Sequence, residues 1–302
     1  MADQPTPVTY EVDGFTVSAI AKGVARAGSP LIAALPGGTY GSRYFDVAGS
    51  GHESFMDLAA ANGYEVVSFD RPGYGGSTPF GPEENTFERH AQVLGAAIAQ
   101  AAGGRPVLLV GHSIGGMIAL MIAAGSPEFR LIGASVTGMG AVIRAGGPAE
   151  ALASLPADAT VDLPYEERDK VMFGPEGTFT AEGLKQAHDS YAPVPVRELI
   201  QAPRWPEDTL PGIAPLLHIP VHNTLGEYDA LWDSTAENVA RFAALLTAAP
   251  FVDVSIARGT GHSIDHHTLG RALHLRQLAF AEECAHWARQ SAAQDEEDGS
   301  DG

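Results

Sequence analysis

An apolar run, Val107-Leu108-Leu109-Val110, leads straight into Gly111-His112-Ser113-Ile114-Gly115 and then into the apolar segment Met117 to Ala124. The first run reads as a buried strand and the last as a buried helix, so Ser113 stands on the bend between them. Glycines flank such a bend because a Cβ there would meet neighbouring backbone. The turn lifts the serine hydroxyl clear of the sheet, and the N–H groups that open the helix favour negative charge at the same place. Chance supplies about 0.2 matches to G-x-S-x-G at this glycine and serine content, so the flanking strand and helix carry the reading of Ser113 as a nucleophile. The plainer alternative is a tight turn with a bystander serine.

The rest of the chain repeats the same strand and helix rhythm. Thr9 to Val12 and Phe15 to Ile20 flank Asp13-Gly14 and read as a hairpin. Leu31 to Leu35 reads as a strand that delivers the loop Pro36-Gly37-Gly38-Thr39. Ser54 to Ala61 has helical spacing, Tyr64 to Phe69 reads as a strand, and Thr86 can cap a helix running to Ala102. After the Ser113 turn, Leu131 to Thr137 continues the β-α-β series, which predicts a mostly parallel central sheet with helices on both faces. From Ala141 to Pro215 the rhythm breaks into Pro, Gly and charge, with helical pieces such as Ala181 to His188, and this stretch reads as an inserted helical lid. His218 to Thr224 and Val252 to Ile256 read as further strands, with helices over Thr235 to Leu246 and Leu269 to Ala288. The organisation is therefore an α/β core over 1–140 and 216–290, a lid over 141–215, and an acidic disordered tail over 291–302.

Charge narrows the partners. Eighteen Lys and Arg stand against 37 Asp and Glu, a net charge of −19 that disfavours nucleic acid and anionic membrane surfaces. A small neutral or cationic molecule fits better, and a homo-oligomer is left open. Cys284 is the only cysteine, so no intramolecular disulfide forms, and a reducing compartment is compatible with the chain. The first residues do not read as a signal peptide, and no apolar run approaches the roughly 18 residues of a membrane span, which points to a cytoplasmic protein.

A serine hydroxyl needs a base, normally a histidine oriented by a carboxylate. Of eleven histidines, His262 stands out because it follows the last core strand in Arg258-Gly259-Thr260-Gly261-His262. Asp229 follows the strand ending at Thr224 and is the best-placed acid, with Glu227 its near rival. His112 is expected to pack or give polar support, and His222 to be a satisfied core histidine. The His262 to His266 spacing invites a zinc reading, but Ser263 stands where zinc proteases need Glu, so no metal or cofactor is expected. The N–H groups of Ile114 and of Gly38 or Thr39 are the expected oxyanion donors. Thr39, Arg43, Tyr44, His112, Met139 and Trp232 are candidate pocket residues, with Tyr165, Met172, Phe173, Phe179, Tyr191 and Trp205 as lid candidates. An exposed ion pair is the plainer role for Arg43.

With Ser113, Asp229 and His262 in that chain order, each after a core strand, the sequence resembles the α/β-hydrolase superfamily, in its serine-nucleophile, esterase-like and haloperoxidase-like branch. The resemblance covers about Thr9 to Gln290 and includes the Asp70-Arg71-Pro72-Gly73-Tyr74-Gly75-Gly76-Ser77 turn. One departure is Pro36-Gly37 where many relatives have His-Gly. The resemblance implies acyl transfer, with Ser113 attacking a carbonyl, His262 moving the proton and Asp229 fixing its tautomer. The same fold also hosts lyases, cyclases, C–C bond hydrolases and hormone receptors, so a non-hydrolytic tailoring enzyme and a ligand sensor remain the alternatives.

Overall fold

The computed structural model describes residues 4–148 and 156–300, with side chains to 294. Part of the expected lid, 149–155, and the last two residues of the expected tail lie outside them. The chain opens with β1 (Thr6–Val12) and β2 (Phe15–Lys22), paired antiparallel in register from Thr6 with Ala21 to Val12 with Phe15. Asp13 and Gly14 both take positive φ, 49° and 83°, which is the turn that matches the twist of two strands joined by two residues.

The central strands follow where the apolar runs predict them: β3 (Leu31–Leu35), β4 (Glu65–Phe69), β5 (Val107–His112) and β6 (Leu131–Thr137). The region between β6 and the next core strand carries a short antiparallel pair, β7 (Thr160–Val161) with β8 (Val194–Pro195). The core sheet is completed by β9 (Val221–Gly226) and β10 (Val252–Ala257), giving the order β1-β2-β4-β3-β5-β6-β9-β10. Within this eight-stranded sheet every pairing from β4 across to β10 is parallel, and the entrance hairpin and its junction with β4 run antiparallel. The ninth strand starts three residues later than its apolar run suggests, because Pro220 has no N–H to give a ladder.

Helices cover both faces, and the period-2 alternation of the strands sorts them. Leu31, Ala33, Leu35, Val107 and Leu109 point to one side, against α2 (Phe87–Ala102) and α3 (Ile114–Ala124). Ile32, Ala34, Leu108 and Val110 point to the other, against α1 (Phe55–Ala61) and the long C-terminal helix Gly270–Ser300. Strands buried on both faces favour near-continuous apolar runs, as in β3 and in Val107 to Val110 of β5. Ser54, Thr86 and Thr235 each cap a helix by accepting from the N–H three residues on. The C-terminal helix continues through Ser300, past Ser291 where a disordered tail is expected; Ala, Gln and Glu, which favour helix, make up half of Ser291 to Ser300. No helix among the described residues is long and apolar enough to cross a membrane.

Between β6 and β9 the described residues also form α4 (Tyr165–Met172), α5 (Ala181–His188) and α6 (Val196–Gln201), followed by short helical turns. Backbone bonds tie this segment to the loop after β3: Ala192 N–H donates to Thr39 O at 2.8 Å, and Gly41 N–H to Ser190 O at 3.0 Å.

Leu109 is fully buried in the sheet centre. Leu109→Ala is expected to lower unfolding free energy by about 2–5 kcal/mol, read as a shifted urea midpoint with the slope unchanged.

Candidate active site

Ser113 stands between β5 and α3 in a strained backbone, φ 53° and ψ −122°, with only 8% of its surface exposed. A non-glycine residue in this region costs of order 1–3 kcal/mol and persists only where its surroundings enforce it. Here they do. A Cβ on Gly111 would lie 2.5 Å from the Gly116 Cα, and one on Gly115 would lie 2.0 Å from the Leu35 carbonyl oxygen. Strand end and helix start therefore touch through backbone, and Ser113 N–H is held by Thr137 O at 2.7 Å.

His262 is delivered by the loop after β10 and is fully buried. Its Nδ1 lies 2.8 Å from Asp229 Oδ2, as expected for an N–H donating to a carboxylate. That assignment leaves Nε2 with a lone pair, and Nε2 has no hydrogen-bond partner. Asp229 is itself fixed, since its Oδ1 accepts from the N–H groups of Leu231 at 2.8 Å and Trp232 at 3.0 Å. Its rival Glu227 instead accepts from Gly259 N–H at 2.8 Å and so braces the histidine loop.

A cavity of about 90 Å³ brings together Gly38, Ser113, Ile114 and His262. Ile114 is the first residue of α3, so its N–H has no intrahelical acceptor. Thr39, in the loop after β3, takes φ 66° and also lines the cavity. Met117, Ile143, Leu163, Val171 and Trp232 supply the apolar walls.

Of the expected pocket residues, Thr39 and Trp232 line this cavity, while Arg43, Tyr44, His112 and Met139 do not. Arg43 is exposed. Tyr44 faces the wrong way because its ring stacks on His112 at 4.5 Å and its hydroxyl donates to Asp265 at 2.7 Å. His112 gives the polar support expected of it: its Nε2 lies 3.2 Å from the His262 carbonyl, behind the site. Met139 is buried beneath the elbow, and its carbonyl accepts from Asn223. His222 is a satisfied core histidine, bonded to Ser135 and Thr224. Among the expected lid residues Met172 reaches the cavity. Tyr165 is largely exposed, Phe173 and Phe179 pack on each other and on His267, Tyr191 bonds Asp169, and Trp205 joins the core.

Glu167, Arg168 and Leu199 also line the cavity, and the sequence reading passes over them. The only signal available was their place in the irregular stretch that faces the strand ends.

A model of an alpha/beta hydrolase family matches residues 32–273. No curated protein matches the chain. Among solved structures, a soluble variant of monoglyceride lipase from Saccharomyces cerevisiae superposes with a TM-score of 0.69 at 16% identity, covering 93% of this chain and 95% of the lipase. A thermophilic esterase from Thermogutta terrifontis gives 0.62 at 18% identity over 95% of this chain and 99% of its own. A thioesterase domain from the curacin biosynthetic pathway gives 0.64 at 16% identity, covering 91% and 100%. At these identities the likeness is one of fold.

Burial around the site also fixes a pH response. It pushes His112 from 6.5 down to about 3, and His222, His266 and His267 each down to about 4, so all four are neutral at pH 7. Between pH 6.5 and 4 the unfolded chain therefore binds more protons than the folded one, and stability falls with acidification. The melting temperature is expected to drop steadily from pH 6.5 to 4; a flat profile across that window would contradict the burial of these rings.

Proposed function

The chain belongs to the alpha/beta hydrolase family, and from that premise we propose that it is a serine hydrolase acting through an acyl-enzyme on a small, largely apolar ester or thioester. The reading rests on one observation: the strained Ser113 and an Asp229-bound His262, whose Nε2 has no partner, line the same cavity.

In this mechanism Ser113 Oγ attacks the substrate carbonyl while His262 Nε2 takes its proton. Negative charge moves to the carbonyl oxygen, where the N–H groups of Gly38 and Ile114 and the start of α3 stabilise it. Collapse breaks the ester bond, and the imidazolium returns its proton to the leaving alcohol or thiol. Water, deprotonated by His262, then attacks the acyl-serine and releases the acid and Ser113. Asp229 holds the Nδ1–H tautomer and balances the imidazolium charge through both steps.

The small cavity and its aliphatic walls favour a short acyl chain. The residues 141–215 serve as a lid in this proposal, since Leu163, Val171 and Leu199 supply part of those walls. The net charge of −19 and the single buried cysteine fit a cytoplasmic enzyme of small neutral or cationic esters, working without metal or cofactor.

Ser113→Ala is expected to abolish hydrolysis of p-nitrophenyl butyrate and labelling by a fluorophosphonate probe. Asp229→Asn is expected to lower kcat by about 10³–10⁴-fold through the wrong tautomer. Turnover that survives Ser113→Ala would sink the proposal, whereas labelling without turnover on graded p-nitrophenyl esters would move it to non-hydrolytic chemistry.

A further inference from the structure

Arg71 and Glu198 form a fully buried ion pair, with Nη1 2.6 Å from Oε2. They come from distant parts of the chain: Arg71 follows β4, and Glu198 lies on α6, in the segment between β6 and β9. Isolated buried charges are expensive, so the pair needs further bonds to stand. Tyr74 supplies two of them, donating its hydroxyl to Glu198 at 3.0 Å and placing its ring 4.3 Å from the guanidinium carbon. The remaining guanidinium donors go to one place. Nε donates to Pro36 O at 3.1 Å, and Nη2 to Gly37 O at 3.1 Å.

Those two carbonyls belong to the loop that carries Gly38. The chain has no cis peptide bond among the described residues, and in a trans peptide the C=O and the following N–H point to opposite sides. Gly37 C=O faces Arg71, so Gly38 N–H must face away from it, on the side where Gly38 lines the cavity with Ser113.

From this we infer that Arg71 is a positioning residue for the oxyanion site: it clamps the Pro36 and Gly37 carbonyls so that Gly38 N–H meets the developing negative charge, and Glu198 on α6 holds the clamp in place. The inference rests on the serine hydrolase reading. Arg71 is not among the residues that line the cavity. The planar fork is essential to the role, since a lysine ammonium cannot address two carbonyls and a carboxylate with fixed geometry. Leu199, next to Glu198, lines the cavity, so α6 meets the bound acyl group and secures the oxyanion loop within one turn.

The test measures kcat and KM for p-nitrophenyl butyrate, and inhibition by phenylboronic acid, in the full chain and in Arg71→Lys, Glu198→Gln and the double variant Arg71→Met/Glu198→Gln. The double variant removes both buried charges while leaving Tyr74 an acceptor, so it retains the fold where a single loss would strand a charge. Its kcat is expected to fall about 10²-fold with KM within threefold, and boronate affinity to weaken in step, while the thermal melt stays near that of the parent. Arg71→Lys is expected to keep the fold without restoring kcat, and Glu198→Gln to lower kcat about tenfold at unchanged KM. Folded variants with parental kcat and boronate affinity would overturn the inference alone. A parent chain without Ser113-dependent turnover would overturn the functional reading, and this one with it.

Discussion

The contact between the backbone of Gly115 and the carbonyl of Leu35 is the constraint on which the rest of the site is built. It brings the end of β3 and the start of α3 closer than any side chain would allow. That approach sets the loop carrying Gly38 beside the first N–H of α3, and it leaves Ser113 no room for ordinary strand or helix geometry. The strain at Ser113 is thus maintained by neighbours that are themselves buried: Leu35, Ile114 and Met117 belong to the core. Parallel strand order does the remaining work: β5, β9 and β10 all run the same way, so the loops bearing Ser113, Asp229 and His262 emerge at one end of the sheet.

Around that end, buried polar groups are satisfied in concentric fashion. His262 is held by Asp229, and Asp229 by two backbone N–H groups. Behind them Tyr44 and His274 both bond Asp265, whose carboxyl sits well below the usual range: burial acts to raise it, but the His274 hydrogen bond and charge outweigh that. The His262 Nε2 is one of the exceptions, and His262 lines the same cavity as Ser113. Thr39 Oγ1, His112 Nδ1 and Asn223 Oδ1 are likewise buried without a partner, so satisfaction of the polar groups around this end is partial.

Much of this was readable from residue order because it depends on short-range rules. Apolar runs, glycine spacing and capping residues fix β5, the Ser113 elbow, α2 and the loops bearing Asp229 and His262, and the fold follows from their alternation. What the sequence could not show is direction. Tyr44 lies just past the oxyanion loop and reads as a pocket residue, yet stacking on His112 turns it into the core. Leu199 and Arg168 belong to a stretch with no period, and only the docking of that stretch over the strand ends brings them to the cavity. Arg71 reads as one residue of a glycine-rich turn, and its partner Glu198 lies 127 positions away, beyond the reach of any local pattern.

The placement of α6 has a consequence for how such a chain can change over time or under a designer's hand. Leu199, which lines the cavity, and Glu198, which pairs with Arg71, are neighbours in sequence, so under the proposed function swapping this helix to admit a new substrate also retunes the electrostatics of the site. Under that proposal, selectivity and speed are genetically linked in this segment. Mutational walks toward larger substrates have an easier route through Ile143, Leu163 and Val171, which border the same cavity and carry no polar bond to the oxyanion loop.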